Sequence, residues 1–512
     1  RCTARPNAFI RHWLLYSTLL LTDNCQLTAN QARQLPNAEL TKRWLSQTWA
    51  ALKLSSPNLI QPLCEDLNQL LGRPTIATHP HENRIAVVRQ SSSLAPAEQN
   101  FVTMHYRYRQ QALNRFLGTP PTADLKIALC CSGGGYRAMI YSLGVLLGLE
   151  KLQLLPALTY ASALSGATWC LGAYLSSTLK LPQLRAHFQT VTQTNLYQFY
   201  RLDQLLDRYL QNLILKQYGS LVLIWSALLA DKILAHLDEN RFFTCLSDQQ
   251  YFAEHCANLL PIYTVVEPVL NRTAAAPSYH YHWLEFTPYE VGYVQEPYRI
   301  PAWSCGREFK QGSSCDFKPE LPFAYLMGVF GSAFTINIHE LLQFMRTTPP
   351  VAGERSTCHT LLTKIANTDL EHLRLLPAQI PNFRYQLPPH PRLNLTLLSH
   401  LQLPTARFSL NWIPLYQVAQ NFSYYLGQQQ LANQKTLTLI DAGIAFNLPL
   451  PPLLTPARQI DLILIIDSSA GLPATPDLFK ALQYAKQYYG WDYQATPIND
   501  FLNTPLTPLT KP

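Results

Sequence analysis

The sequence predicts an α/β protein with a mainly parallel central sheet, helices flanking that sheet, and an inserted cap or lid region. A short apolar strand pattern at residues 125–131 meets three consecutive glycines and then a helical pattern. A second strand pattern at 158–164 is also followed by a turn and a helix, and strand patterns return at 435–440 and 458–467. Successive strand, turn and helix units of this length are typical of parallel sheets.

The composition is that of a globular protein. Of the 512 residues, 47% are hydrophobic and 14% are charged, which excludes a disordered chain. The net charge of +8 mildly favours an anionic partner. The sequence contains no Lys/Arg tract, no RNA-binding aromatic motif and no zinc-finger spacing, so we expect no nucleic-acid partner.

The cysteines favour a reducing compartment. The eleven cysteines include no Cys-x-x-Cys pair, and an odd number does not suit a complete disulfide framework. Cys305 and Cys315 would close a loop if the protein were secreted. We therefore expect a cytoplasmic protein, with secretion kept as the alternative.

Composition shifts divide the chain into an N-terminal helical extension of unknown role, residues 1–93, and a larger domain, residues 94–512. In the extension, the apolar stretch 9–22 is interrupted by Arg11 and His12 and is too short to span a bilayer. An amphipathic helix is favoured there over a signal peptide. Residues from about 180 to 430 show mixed patterns, and we expect them to form the inserted cap.

The glycine run Gly133, Gly134 and Gly135 ends the first predicted strand of the larger domain. It lacks the Lys-Ser/Thr of a Walker loop and the glycine spacing of a dinucleotide fold. A glycine turn between a strand and a helix still directs backbone N–H groups above the sheet. Such groups stabilise an anionic centre.

Ser165 follows the second strand in the sequence Ala163-Leu164-Ser165-Gly166-Ala167. A serine at a strand-to-helix turn is the position of a nucleophile elbow. Serine is also a favoured helix N-cap, which is the alternative interpretation of this residue.

Asp441 is the best-placed strand-end carboxylate, but no histidine follows it, because His400 is the last histidine. The Ser…Asp…His order of many hydrolases therefore fails, and Asp441 is predicted to take the proton of Ser165 directly, from a strand two positions away. Burial would raise its pKa toward that of a useful base. A turn-forming role before Gly443 and a triad with a histidine such as His372 or His390 are the alternatives.

Five segments in the same order resemble the catalytic domain of cytosolic phospholipase A2 and the related lysophospholipases. The likeness covers residues from about 94 to 512. The segments are SGGGYRAM at 132–139, LSGATW at 164–169, FTPYEVG at 286–292, LMGVFGSAF at 326–334 and DAGIAFNLPLPPLLTPAR at 441–458.

The resemblance implies hydrolysis of acyl esters in glycerophospholipids or lysophospholipids at a membrane surface, by a Ser165–Asp441 dyad without metal or other cofactor. It implies Gly134 and Gly135 as oxyanion-hole donors, and it places Arg137 and Arg458 near the lipid phosphate. A structural ion pair is the alternative for each arginine. Because residues 1–93 show no acidic calcium-binding loops, we expect calcium-independent, peripheral membrane association.

Two rival functions follow from the same residues. The family usually has glycine where this chain has Ala163, so a lipid-binding or interaction protein with a spoiled elbow and no catalytic activity is one rival. An esterase or lipase that acts on uncharged esters is the other.

Overall fold

The computed structural model describes residues 81–193, 221–257, 259–271, 278–333, 377–387, 432–469 and 475–490. These residues form twelve strands: β1 Arg89–Gln90, β2 Ile127–Cys131, β3 Leu158–Ala163, β4 Leu260–Asn271, β5 Ser278–Phe286, β6 Glu290–Tyr293, β7 Tyr298–Pro301, β8 Phe309–Lys310, β9 Ser313–Ser314, β10 Ala378–Pro381, β11 Thr436–Asp441 and β12 Leu462–Ile466. The α-helices are α1 Pro96–Leu117, α2 Tyr136–Lys151, α3 Gly166–Leu175, α4 Leu181–Gln193, α5 Leu221–Ile233, α6 Gln249–Phe252, α7 Phe323–Phe330 and α8 Thr475–Tyr489.

Within the described residues, the central sheet has ten strands, eight of which follow the order β1-β7-β6-β5-β4-β3-β2-β12. The pairs β12–β2, β2–β3 and β3–β4 are parallel, whereas the remaining pairs of the sheet are antiparallel. The predicted α/β class and its parallel core are therefore confirmed. The sheet as a whole is mixed, because hairpin-connected strands extend the parallel core on one side.

The parallel core is buried on both faces, as its sequence indicates. Every residue of β2 and β3 is buried. Leu129 of β2 packs in one apolar cluster with residues of α2, α3 and α4, whereas Cys130 packs in another that contains Phe101 of α1 and Tyr484 of α8. Side chains on a strand alternate between faces, so one unbroken apolar run can fill both clusters.

The region from about 180 to 430, expected to be an inserted cap, contributes directly to the sheet. Strands β4 to β7 come from this region and continue the sheet beyond β3. These strands were not expected from the sequence. Part of the expected cap therefore belongs to the central sheet.

Described residues that precede position 94 are attached to the central sheet. Arg89 pairs with Arg299 of β7, and Val87 forms an isolated bridge with Ser313. The Arg307 guanidinium donates hydrogen bonds to the backbone carbonyls of Arg84 and His81 at 2.5 and 2.8 Å. Residues 81–91 are thus attached to the sheet, whereas residues 1–80 of the expected extension lie outside the described residues.

No helix within the described ranges is both long enough and apolar enough to span a membrane.

Cys315 carries a free thiol, so the disulfide between Cys305 and Cys315 that was considered for a secreted protein is not formed.

Strands β3 and β11 meet end to end along one edge of β4. On its other edge, β4 pairs continuously with β5. The last residue of β3, Ala163, lies opposite Tyr263, and the last residue of β11, Asp441, lies opposite Val265. The carboxyl ends of the two strands therefore point toward each other. Asp441 is not two strands away from Ser165, as the sequence suggested, but lies at a facing strand end.

Candidate active site

Ser165 forms a strained turn between β3 and α3. Its backbone has φ of 50° and ψ of −129°, a combination that costs a non-glycine residue about 1–3 kcal/mol. A Cβ atom on the next residue, Gly166, would lie 1.9 Å from the carbonyl oxygen of Gly135. Only glycine fits there, since the obstacle is backbone. The turn holds the serine at the strand end, in the geometry of a nucleophile elbow.

The two alanines of the elbow do not disturb it. Ala163 lies in β3, and its carbonyl oxygen accepts a hydrogen bond from the Thr264 hydroxyl at 3.1 Å. Ala167 lies in α3, with its N–H donating to the carbonyl of Leu164 at 3.2 Å. Neither alanine has a positive φ angle. The strain therefore falls on Ser165, and the close backbone contact falls on Gly166.

The glycine turn packs directly against the elbow. A Cβ atom on Gly133 would lie 2.8 Å from the Ser165 Cβ atom. Gly134 has φ of 147° and Gly135 has φ of 59°, both in regions that side chains rarely allow. The bare backbone lets the turn approach the serine closely. The predicted oxyanion-hole glycines and the predicted nucleophile are thus brought together.

Asp441 is buried at the end of β11, with 1% of its surface exposed. Its Oδ1 atom accepts a hydrogen bond from the Gly443 N–H at 2.8 Å. Burial raises the pKa of the Asp441 carboxyl to about 6, while interactions with the Ser165 hydroxyl and with the Gly443 N–H limit the rise. The buried Oδ2 atom has no hydrogen-bond partner among the described residues.

Arg137 lies beside the glycine turn on the first turn of α2. Its side chain is exposed, and its Nε–H donates to the Ser468 carbonyl oxygen at 2.5 Å. A Cβ atom on Gly134 would lie 2.9 Å from Arg137 Nη2, which places the guanidinium next to the oxyanion-hole glycine. The structure thus brings Arg137 to the site, with nitrogen atoms exposed for an anion.

Arg458 is placed differently, in a buried ion-pair cluster. Its guanidinium donates to both Glu285 carboxylate oxygens at 2.6 and 3.2 Å, to Glu98 at 3.0 Å and to the carbonyl of Pro452 at 2.8 Å. Burial raises the pKa of Glu285, but Arg458 and Arg299 outweigh this effect and hold that pKa below its ordinary value. With 2% of Arg458 exposed, the geometry favours the structural ion pair over the predicted phosphate contact.

Asn447 and Ser468 are the site residues that the sequence analysis missed. The Asn447 amide hydrogen-bonds both backbone groups of Gly133, each at 3.1 Å. Ser468 bonds the same turn through Gly133 and Ser132. The only sequence signal was that Asn447 lies within the segment that begins at Asp441, and an asparagine in a loop is usually explained by turn formation.

The two histidines considered for an alternative catalytic triad, His372 and His390, lie outside the described residues. Within the described ranges, no group of three or more His, Cys, Asp or Glu residues is arranged to hold a metal ion. The described chemistry of the site consists of a strained serine, a buried carboxyl, glycine backbone and one exposed guanidinium.

Comparison with known proteins places the chain in a family. A sequence model described as the lysophospholipase catalytic domain matches residues 127–488. Human cytosolic phospholipase A2 zeta is 29% identical over 436 residues, which cover 78% of this chain and 48% of that protein. Mouse cytosolic phospholipase A2 delta is 28% identical, with 78% of this chain and 50% of that protein covered. The chain spans about half the length of the curated relatives it matches.

Solved structures give the same fold. Human GIVD cytosolic phospholipase A2 superimposes with a TM-score of 0.60 at 20% identity, covering 81% of this chain and 56% of the other. The same human protein in complex with methyl gamma-linolenyl fluorophosphonate gives a TM-score of 0.53 at 22% identity, covering 81% and 52%. At these identities the likeness establishes the fold alone.

Proposed function

Since this chain belongs to the lysophospholipase catalytic-domain family, we propose that it hydrolyses acyl esters of glycerophospholipids or lysophospholipids through Ser165 and Asp441. The observation that carries the proposal is the end-to-end meeting of β3 and β11 on β4, which puts a buried carboxyl beside a strained serine. Groups held in unfavourable states cluster at functional sites.

In the first step, the Ser165 hydroxyl oxygen attacks the ester carbonyl carbon while an Asp441 carboxylate oxygen takes the hydroxyl proton. A base works best with a pKa near the working pH, and a pKa of about 6 suits this task better than the ordinary aspartate value. Activity should therefore rise as the pH increases through about 6.

The oxyanion that forms on the carbonyl oxygen needs donors that are already in place. We assign this role to the backbone N–H groups of Gly134 and Gly135, whose turn packs against Ser165. Loss of one such donor typically costs about 3–4 kcal/mol of transition-state stabilisation. As the intermediate collapses, the ester C–O bond breaks and Asp441 returns the proton to the leaving alcohol oxygen.

The acyl-enzyme is then hydrolysed by the same groups in reverse roles. Asp441 takes a proton from water, the resulting hydroxide attacks the acyl carbon, and the proton returns to Ser165 as the fatty acid leaves. These steps use only groups of this chain. We propose that they take place in the cytoplasm, at the surface of phospholipid membranes, and without calcium, so that a chelator leaves the activity unchanged.

Arg137 is the proposed contact for the lipid phosphate. It is exposed beside Gly134, and a guanidinium can bind phosphate oxygens through two hydrogen bonds. Arg458 is assigned a structural role, because its guanidinium is engaged by buried carboxylates. The phosphate contact is therefore assigned to one arginine, Arg137, rather than to two.

The test is acyl release from phosphatidylcholine vesicles that carry a labelled acyl chain. Ser165→Ala is expected to reduce release to background, whereas Ser92→Ala, at an exposed serine, keeps wild-type activity. Mass spectrometry after treatment with a fluorophosphonate should find the modification on Ser165. A wild-type protein that binds the vesicles but neither releases acyl chains nor reacts with the probe would support the catalytically silent alternative.

A second measurement separates phospholipids from uncharged esters. Arg137→Ala removes a charge-assisted contact of about 1.5–3 kcal/mol, so kcat/KM for phospholipid should fall by about 10- to 150-fold. Turnover of an uncharged acyl ester should change by less than about threefold. Equal, small effects on both substrates would favour the esterase or lipase alternative.

A further inference from the structure

Asn447 binds both backbone groups of one residue of the glycine turn, Gly133, and so contacts the two peptide units on either side of its Cα atom. Its Oδ1 atom accepts from the Gly133 N–H at 3.1 Å, and its Nδ2 atom donates to the Gly133 carbonyl oxygen at 3.1 Å. Nδ2 also donates to the Ser469 hydroxyl at 2.6 Å, which fixes the amide in its plane. The side chain thus behaves toward Gly133 as a neighbouring strand would.

The Gly133 carbonyl is joined to the Gly134 N–H in one planar peptide unit. A group that fixes this carbonyl therefore also fixes the direction of the Gly134 N–H, the proposed oxyanion donor. The Ser468 hydroxyl donates to the same carbonyl at 3.1 Å, and the Ser132 hydroxyl lies 3.5 Å from it, so Asn447 and Ser468 make the two shorter hydrogen bonds that hold it. Hydrogen bonds to a carbonyl also polarise the peptide and strengthen its N–H as a donor.

The turn needs such a restraint because glycine does not provide one. Gly134 has φ of 147°, and glycine crosses between backbone regions at little cost. An unrestrained peptide between two glycines could rotate and direct its N–H away from the oxyanion. The sequence that allows close approach to Ser165 thus requires an external clamp.

The same amide also contacts the turn that holds the base. A Cβ atom built on Gly443 would lie 3.2 Å from Asn447 Oδ1 and 3.2 Å from Asp441 Oδ1. Gly443 is the residue whose N–H binds Asp441. Asn447 therefore lies between the turn of the base and the turn of the oxyanion hole.

From these contacts we infer that Asn447 is a positioning residue, which fixes the peptide between Gly133 and Gly134 so that its N–H meets the developing oxyanion. The inference rests on the proposed hydrolytic function. It assigns Ser468 as the second holder of the same carbonyl. Neither side chain needs to contact the substrate.

The main experiment compares kcat and KM for acyl release from phosphatidylcholine vesicles by the wild type, Asn447→Ala and Ser468→Ala. Misplacing a catalytic group by about 1 Å can reduce a rate by about 100-fold, so Asn447→Ala should reduce kcat by about 10- to 100-fold with KM changed by less than about threefold. Ser468→Ala, which leaves one holder in place, should show a smaller loss. Asn114→Ala, at an exposed position on α1, is the matched control.

Asn447→Asp separates positioning from general structural support. The aspartate keeps an acceptor for the Gly133 N–H but has no N–H for the carbonyl, so kcat should fall at least as far as in Asn447→Ala. A carboxylate at this place also lies near Asp441 and raises its pKa. The acidic limb of the pH–rate profile should therefore move to higher pH, which shows that the new carboxylate lies beside the base, while the fall in kcat on the pH plateau tests the lost donor to the Gly133 carbonyl.

The outcomes are distinct. If folded Asn447→Ala keeps kcat within about threefold of the wild type, the inference is wrong while the hydrolytic function stands. If Asn447→Ala does not fold, the rate at which a fluorophosphonate labels Ser165 in Ser468→Ala decides, and an unchanged rate overturns the inference. If the wild type itself neither hydrolyses lipid nor reacts with the probe, the proposed function fails and the inference fails with it.

Discussion

At the scale of single residues, Ser165 and Asp441 are each held in a state that folding alone would not favour. The serine occupies a strained backbone region, and the carboxyl is buried with a raised pKa. Both penalties act at the same point of the fold, where β3 and β11 end. A stable scaffold can hold such groups because the surrounding sheet and helices determine their positions.

The raised pKa of Asp441 predicts that removing its charge stabilises the protein. The Asp441 carboxyl ionises near pH 4 in the unfolded chain and near pH 6 in the folded protein. The free energy of unfolding therefore falls as the pH rises from about 4 to 6 and stays lower above 6. Asp441→Asn should raise the free energy of unfolding at pH 7.5 by up to about 3 kcal/mol. Urea denaturation checks this, and the gain should disappear near pH 4. A loss of stability at pH 7.5 would contradict the burial argument.

Gly166 is predicted to be irreplaceable even by alanine. An added Cβ atom would overlap the backbone of Gly135, so Gly166→Ala must displace either the elbow or the oxyanion turn. We expect loss of fluorophosphonate labelling at Ser165 and a lower midpoint of thermal unfolding. Gly148→Ala in α2 is the matched control, because a Cβ atom added at Gly148 would have no other atom within 4 Å. This control should gain about 0.5–1 kcal/mol of stability.

At the scale of elements, the site depends on three strands and on the cluster that anchors the segments around them. β4 aligns β3 with β11, and Thr264 lies between the two strand ends. The buried pairs of Arg458 join Glu98 of α1 to Glu285 of β5. The 3-10 turn at Pro456–Arg458, which follows the segment containing Asp441 and Asn447, is thereby fixed to the sheet.

Arg458→Ala should therefore act on stability, in contrast to Arg137→Ala. Removing the arginine leaves the buried Glu98 without its ion-pair partner and leaves Glu285 with Arg299 alone, and breaking such a buried pair typically costs about 3–5 kcal/mol. Arg137→Ala, at an exposed position, should change the free energy of unfolding by less than about 1 kcal/mol. Denaturation of both variants in urea makes the comparison. A stable Arg458→Ala with a selective loss of phospholipid turnover would instead support the phosphate contact expected from the sequence.

At the scale of the whole molecule, distant parts of the chain meet in one sheet. β12 lies beside β2, and β1 lies beside β7 at the other end. The segment containing β10 is attached through Arg384, which pairs with Glu296 at 2.6 Å and lies over the ring of Tyr293. Tyr293 in turn donates a hydrogen bond to the buried Glu267 of β4 at 2.8 Å.

Glu267 predicts how the stability of this assembly depends on pH. Burial raises its pKa to about 7, although His282, Tyr293 and Arg384 partly oppose the rise. The unfolded carboxyl ionises near 4.5, so stability should fall as the pH rises from about 4.5 to 7 and then level off. Glu267→Gln should be more stable than the wild type at pH 8 by up to about 3 kcal/mol, and equally stable at pH 4. Equal unfolding curves at pH 8 would contradict this assignment.

Local sequence patterns were sufficient for β2, β3 and β12 of the parallel core and for the turn at Ser165. An apolar run followed by glycines specifies a buried strand and a close backbone approach, because both features depend on neighbouring residues alone. β2, β3, β11 and β12 lie where the patterns predict strands. The elbow at Ser165 and the glycine turn follow from the same local chemistry.

Tertiary structure alone decided the rest. Whether an arginine faces solvent or two buried carboxylates depends on α1 and β5, which lie far from Arg458 in sequence. The sequences of strands β4 to β7 lack a strong local strand pattern. β3 and β11 meet only because both pair with the same edge of β4. The sequence by itself determined three strands of the parallel core and the turns beside them, whereas long-range pairing added β4 and determined which side chains share the site, since burial and electrostatics depend on contacts between distant residues.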